Sequence, residues 1–201
     1  MAKFPELYTT GYQYVDPLKV ALRSGKTLTS QIEGGQKIRK QKQLYPERDI
    51  TIKYRAIIND TATAPYLRAF WQFHIDRGGS YETFSFFYPY SNTYVNEYVG
   101  IGHGTKIFDL PARDSTSYTL KVNGTTKSPG IEYNFSGQAG ADGEDRIGFV
   151  VAPASGEVIT WSFTGNLKIR CNFKEDNLSM EDFYNALITT GIELEGTKND
   201  G

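Results

Sequence analysis

Residues that carry chemistry are scarce in this chain. Its 201 residues hold one cysteine and two histidines. Cys171 alone excludes an internal disulfide. His74 and His103 stand far apart in sequence, without a local cysteine partner, which leaves too few ligands for a zinc site. Neither histidine accompanies a G-x-S-x-G or comparable nucleophile context, so no paired groups for nucleophilic catalysis are visible. The expectation is a protein that is not an enzyme, with no catalytic residues, no cofactor and no metal.

An excess of one charge is missing as well. Twenty-two basic side chains face 23 acidic ones for a formal charge of -1, which provides no global field to gather nucleic acid or an anionic membrane. No window approaches the roughly 18 uninterrupted apolar residues of a membrane-spanning helix. No cationic segment followed by an apolar stretch addresses the chain for secretion. The expected protein is soluble, not inserted in a membrane, and made in a reducing cytosol.

What the chain does have is aromatic and turn-forming residues: 14 Tyr, 12 Phe and 20 Gly. That mixture favours strands and turns over helices. The first residues, "MAKFPELYTTGYQYVDP", show no steady period and read as an extended arm of the kind that contacts neighbours. "TLTSQIEGGQKIRKQKQLYP" carries a Gly34-Gly35 turn signal. "DITIKYRAII" alternates, with Ile50, Ile52, Tyr54 and Ala56 on one face, as a half-buried antiparallel strand does.

One segment changes period. Leu67, Phe70, Trp71 and His74 fall at i, i+3, i+4 and i+7, Pro65 suits a first turn and Gly78-Gly79 a stop, which predicts one amphipathic helix over about 62–77. "SYETFSFFYP" follows with almost no loop and places Phe84, Phe86 and Tyr88 on one face.

From 99 to 165 short strands alternate with regular punctuation. "SYTLKVNG" sets Tyr118, Leu120 and Val122 on one face and ends in Asn123-Gly124, a strong hairpin signal. "GIEYNF", "RIGFVV" and "EVITWSF" continue the series, the pattern of a small all-β sandwich. After it, "NLKIRCNF" turns Leu167, Ile169, Cys171 and Phe173 inward. "NLSMEDFYNAL" reads as a short helix capped by Ser179 with Asp182 three residues on, and "GIELEG" as a last strand. The expected organisation is an arm and β core at 1–98, an inserted β-sandwich module at 99–165, and a return to the core at 166–201.

Three loops and runs invite a chemical reading. "GIGHGTKIFDLP", residues 100–111, has the glycines of a phosphate cradle, but strand-like residues follow where a helix is needed, so a turn is expected and His103 is a turn histidine. "ADGED", Ala141 to Asp145, lacks the alternating ligands of a calcium loop and reads as a solvated hairpin tip. "KIRKQK", with Lys37, Arg39, Lys40 and Lys42, reads as a solvated edge strand or subunit contact. The cluster "FSFFYPYSNTYVNEY" combines core aromatics with tyrosines suited to a sugar or a protein surface.

In order along the chain stand "FPEL", the helix ending in "RGG", "FSFFYP", "G-x-G-T-K-x-F-x-LP", "VNG", "APASGEVITWSF", "IRCNFKEDNLS" and "IELEG". This series resembles the distal tail proteins of long-tailed bacteriophages and gene transfer agents over nearly the whole chain. His103 occupies a place where that family tends to carry Asp between two glycines. The resemblance implies a mainly β, tail-tube-like sandwich or barrel with one packed helix plus the inserted module, and a virion protein at the tail tip. It also implies a homohexameric ring joining the tail tube protein to hub or baseplate proteins, with DNA only passing through the lumen. The module 99–165 would project outward and either pack on baseplate partners or bind a host glycan, and a stand-alone carbohydrate-binding or adhesin-type module is the alternative.

Overall fold

A sixteen-residue strand, Val158–Phe173, alternates half-buried and buried side chains without a break. It is the longest strand of a computed structural model that describes residues 2–5, 19–23, 27–31, 37–41, 47–57, 64–177, 180–183 and 187–196. The sequence reads "EVITWSF" and "NLKIRCNF" as two strands; they are one. Gly165, at the apparent break, is no turn: a Cβ there would lie 2.8 Å from the Arg113 carbonyl oxygen, so glycine permits close approach of a neighbouring backbone.

Along the chain the strands before the helix are β1 (Ala2–Lys3), β2 (Lys19–Arg23), β3 (Thr27–Gln31), β4 (Lys37–Gln41) and β5 (Glu47–Ile57). Helix α1 spans Ala64–Asp76. Next come β6 (Phe84–Phe87), β7 (Asn92–Ile101), β8 (Ile107–Asp109), β9 (Ala112–Val122), β10 (Thr125–Thr126), β11 (Tyr133–Ser136) and β12 (Arg146–Phe149). The last three are β13 (Val158–Phe173), β14 (Met180–Phe183) and β15 (Leu187–Gly196). Mainly β with one helix among the described residues, the chain has the expected fold class.

Its contacts divide it into two units, one built from residues 2–5 and 83–171, the other from 19–82 and 172–196 as far as they are described. β6 and most of β13 belong to the same unit as the strands between them. In the first unit β13 pairs antiparallel with β7 and β9 over its first half and with β6 beyond. β9 turns through Asn123-Gly124 into β10, and both residues take positive φ, 47° and 78°, as a tight hairpin turn demands. β11, β12 and β8 form a separate three-stranded sheet.

The core of this unit is aromatic. Trp161 is fully buried and stacks on Tyr118 and Phe135, with Tyr133 edge-on at 6.3 Å. Such ring pairs contribute about 0.5–1.5 kcal/mol each beyond the area they bury. All four side chains of β6 are buried, so this strand has two covered faces rather than the single face that its alternation suggests. The arm reading meets a finding here: β1 pairs parallel with β6, and Phe4, 2% exposed, packs on Phe84 and Phe86 of its own chain. Residues 6–18 lie outside the described ones.

In the second unit β5 lies between β2 and β15, both antiparallel to it, with Ile192 opposite Ile52 and Leu194 opposite Ile50, all four buried. The tail thus returns to the early strands. β3 and β4 pair antiparallel as a two-stranded sheet, and the expected Gly34-Gly35 turn lies outside the described residues. The helix ends where Gly78 and Gly79 donate their N–H groups to the carbonyls of Ile75 and His74. Its Phe70 and His74 are buried against Phe173, as the periodicity predicts.

The expected helix at "NLSMEDFYNAL" is contradicted. Met180–Phe183 is a strand, paired antiparallel with Leu187–Thr190. A nearby partner strand overrides the local helix-start signal of Ser179 and Asp182, and Ser179 lies outside the described residues.

Candidate functional site

The glycine loop between β7 and β8, residues 102–106, is a turn clamped on a second turn. Gly102 N–H donates to the Glu157 carbonyl at 2.8 Å, and Gly156 N–H donates to the Gly102 carbonyl at 3.0 Å. A Cβ at position 102 would fall 2.1 Å from the Ala154 carbonyl oxygen, so the stretch needs glycine to seat "GIG" against "APASGE". β8 follows, not the helix that a phosphate cradle needs. His103 is exposed, its Nδ1 2.9 Å from the Ile101 carbonyl and its ring 5.8 Å from Phe108. These are the surroundings of a turn histidine.

The other chemistry-bearing residues have ordinary packing roles. His74 is 8% exposed and its ring meets Phe173 edge-on at 4.6 Å. Cys171 is fully buried, and burial pushes its thiol well above the usual range, which holds it protonated and unreactive. Among the described residues, no group of three or more His, Cys, Asp and Glu is arranged to hold a metal ion. The side chains of "KIRKQK" lie outside the described ones; its strand β4 pairs antiparallel with β3.

"ADGED" overturns its sequence reading. Instead of a solvated tip, Glu144 and Asp145 are 2% and 0% exposed. Asp145 is satisfied by backbone: its Oδ1 accepts from Gln138 N–H at 3.0 Å and its Oδ2 from Ser115 N–H at 2.9 Å. Its own N–H donates to the Ala112 carbonyl at 2.8 Å, which ties the loop to β9. Buried carboxylates need such donors, because an unpaired charge away from water is prohibitively costly.

Asp142 and Glu144 instead meet a cation. Lys168 Nζ, on β13, donates to Glu144 Oε1 at 2.8 Å and stands 3.5 Å from Asp142 Oδ2. The side chains of Lys168, Asp142 and Glu144 are 14%, 5% and 2% exposed. Ser85 Oγ donates to Asp142 Oδ2 at 2.6 Å, and Asp142 N–H donates to Glu144 Oε2 at 2.9 Å. Burial pushes the Asp142 carboxyl up, but the Ser85 hydrogen bond and the Lys168 charge outweigh it, and the group sits below its ordinary value. Here a primary amine and two acid side chains are held together with little exposure to water.

Sequence reasoning missed this site because its parts are far apart: Ser85 on β6, the acids in a loop, Lys168 on β13. The alternation of "NLKIRCNF" does place Lys168 opposite the core-facing residues, yet not what covers it. On the surface, Ile107, Ile131, Val150 and Val151 are exposed apolar residues. Val150 N–H donates to the Glu132 carbonyl and Ile107 lies opposite Gly148, so these residues collect around one end of the three-stranded sheet. In the aromatic cluster Phe84, Phe86 and Phe87 are buried, whereas Tyr90 is exposed with Tyr88 edge-on at 5.6 Å. Neither a protein-family model nor a curated protein sequence matches this chain.

Proposed function

We infer that the chain is a structural virion protein, a distal tail ring adaptor that joins a tail tube to the hub or baseplate of a long-tailed phage. The observation that carries this reading is the ordered series of landmarks from "FPEL" to "IELEG", which spans nearly the whole chain. Two structural features support it. The mainly β framework is of the kind the resemblance implies, and apolar side chains at the end of the three-stranded sheet offer a surface for a protein partner. In this role the protein acts mechanically: copies meet through one heterologous contact repeated around an axis, which closes a homohexameric ring. One ring face meets the tube's last layer, the other the hub, and DNA passes through the lumen unread. The same protein is made in the host cytoplasm and ends at the virion tail tip.

The test is the mass of the purified chain by light scattering, with negative-stain imaging. A hexamer-sized particle with a central hole is the expected result. A strict monomer at high concentration that binds a glycan array through residues 99–165 replaces this reading with the carbohydrate-binding or adhesin-type module.

A further inference from the structure

We propose that Lys168 and Asp142 form a covalent side-chain amide, with Glu144 as the proton-transfer group, so that the loop 137–145 is cross-linked to β13. The cross-link goes beyond the ring reading and does not depend on it.

The geometry supplies each requirement. The nucleophile is the Lys168 amine, 3.5 Å from Asp142 Oδ2, close enough for small side-chain motion to bring Nζ onto the Asp142 carboxyl carbon. Glu144 Oε1 receives a hydrogen bond from Nζ at 2.8 Å, so it is placed to take the proton that otherwise blocks attack. Glu144 Oε2 is fixed by the Asp142 N–H at 2.9 Å, which keeps the carboxylate aimed. Ser85, fully buried, donates its hydroxyl to Asp142 Oδ2 at 2.6 Å and withdraws electron density from the carboxyl to be attacked.

The surroundings keep the reacting groups together and largely covered. On β6 the residue opposite Lys168 in the sheet is Phe87, 3% exposed, with Lys3 Nζ 5.3 Å and the Arg113 guanidinium 5.4 Å from its ring. From the loop side Asp145 is already saturated by backbone N–H groups. The side chains of Lys168, Asp142 and Glu144 are 14%, 5% and 2% exposed, so little water competes with the amine for the carboxyl carbon.

The step balances without any other reactant. The Lys168 Nζ to Asp142 Cγ bond forms and a Cγ–O bond breaks. Of the three ammonium hydrogens one stays on the amide nitrogen, and two leave with the departing oxygen as water, carried across by Glu144. Nothing is oxidised or reduced. The product replaces an ion pair with a bond that also restricts the unfolded chain, as any covalent loop closure does.

Denaturing intact-mass spectrometry of the full chain, held at neutral pH after purification, tests it. The expected wild-type mass is one water below that of the sequence, and trypsin releases a branched peptide joining Asp142 to Lys168 with no cleavage after Lys168. K168R and E144Q, checked for folding by circular dichroism, are expected at their full sequence masses. Full sequence mass in the wild type overturns the proposal. So does a water lost within a linear peptide, which marks a succinimide at Asp142-Gly143 instead. A branched peptide from folded E144Q overturns the role of Glu144. If either variant fails to fold, the wild-type branched peptide alone decides.

Discussion

Residues 102–106 and 137–145 are both glycine-containing loops with polar side chains beside the glycines, and they treat water in opposite ways. The first is held by its backbone: Gly102 exchanges hydrogen bonds with Glu157 and Gly156, while the His103 side chain stays outside. The second is held by its side chains: Glu144 and Asp145 are buried on a lysine and on backbone N–H groups. What separates them is the far partner. A loop buries its charges only where the sheet beneath presents a counter-charge or free donors, and Lys168 on β13 does so for one loop.

The contrast breaks most decisively at Lys168. Lys168→Met keeps the stem and removes the amine that holds Asp142 and Glu144. Breaking a buried pair in this way costs about 3–5 kcal/mol. The expected outcome is a melting temperature lower by many degrees and early proteolysis in 137–145. A loss under about 1 kcal/mol, on the scale of an exposed ion pair, places the pair effectively in solvent.

At the other loop a paired substitution separates backbone from side chain. Gly102→Ala brings a methyl group onto the Ala154 carbonyl, which is backbone and yields little; overpacking of this kind costs about 1–3 kcal/mol. His103→Ala, one residue on, removes an exposed ring and is expected to stay within about 0.5 kcal/mol. Denaturant titration of both variants measures the difference. A His103→Ala effect as large as that of Gly102→Ala gives the histidine a role that its contacts do not show.

Much of the fold is legible in local pattern. Ile50 and Ile52 share a buried face as alternation predicts, Asn123-Gly124 makes its hairpin, and Gly78-Gly79 stops the helix. The misreadings arise where pairing with another segment decides. Met180–Phe183 carries local helix-start chemistry but pairs with Leu187–Thr190. Gly165 looks like a break and is a point of close backbone approach inside β13. The ionic site is the extreme case: no window of sequence contains Ser85, Asp142, Glu144 and Lys168 together, so only the fold displays it.

Acid distinguishes the linked from the unlinked form of that site and is expected to have the smallest effect. In K168R, which keeps a cation and cannot close the same amide, Asp142 stays free to titrate. Its folded pKa lies below its ordinary value, held there by Ser85 and the neighbouring cation against the opposing effect of burial. A carboxyl lowered in this way contributes stability above the unfolded value, about 3.9, and loses it as pH falls through the lower folded value. K168R is therefore expected to weaken with acid in that window. The wild type, with Asp142 consumed as an amide, lacks this contribution and should show a shallower fall in denaturation midpoint over the same range. Equal acid slopes indicate that Asp142 titrates alike in both, as it does when no amide forms.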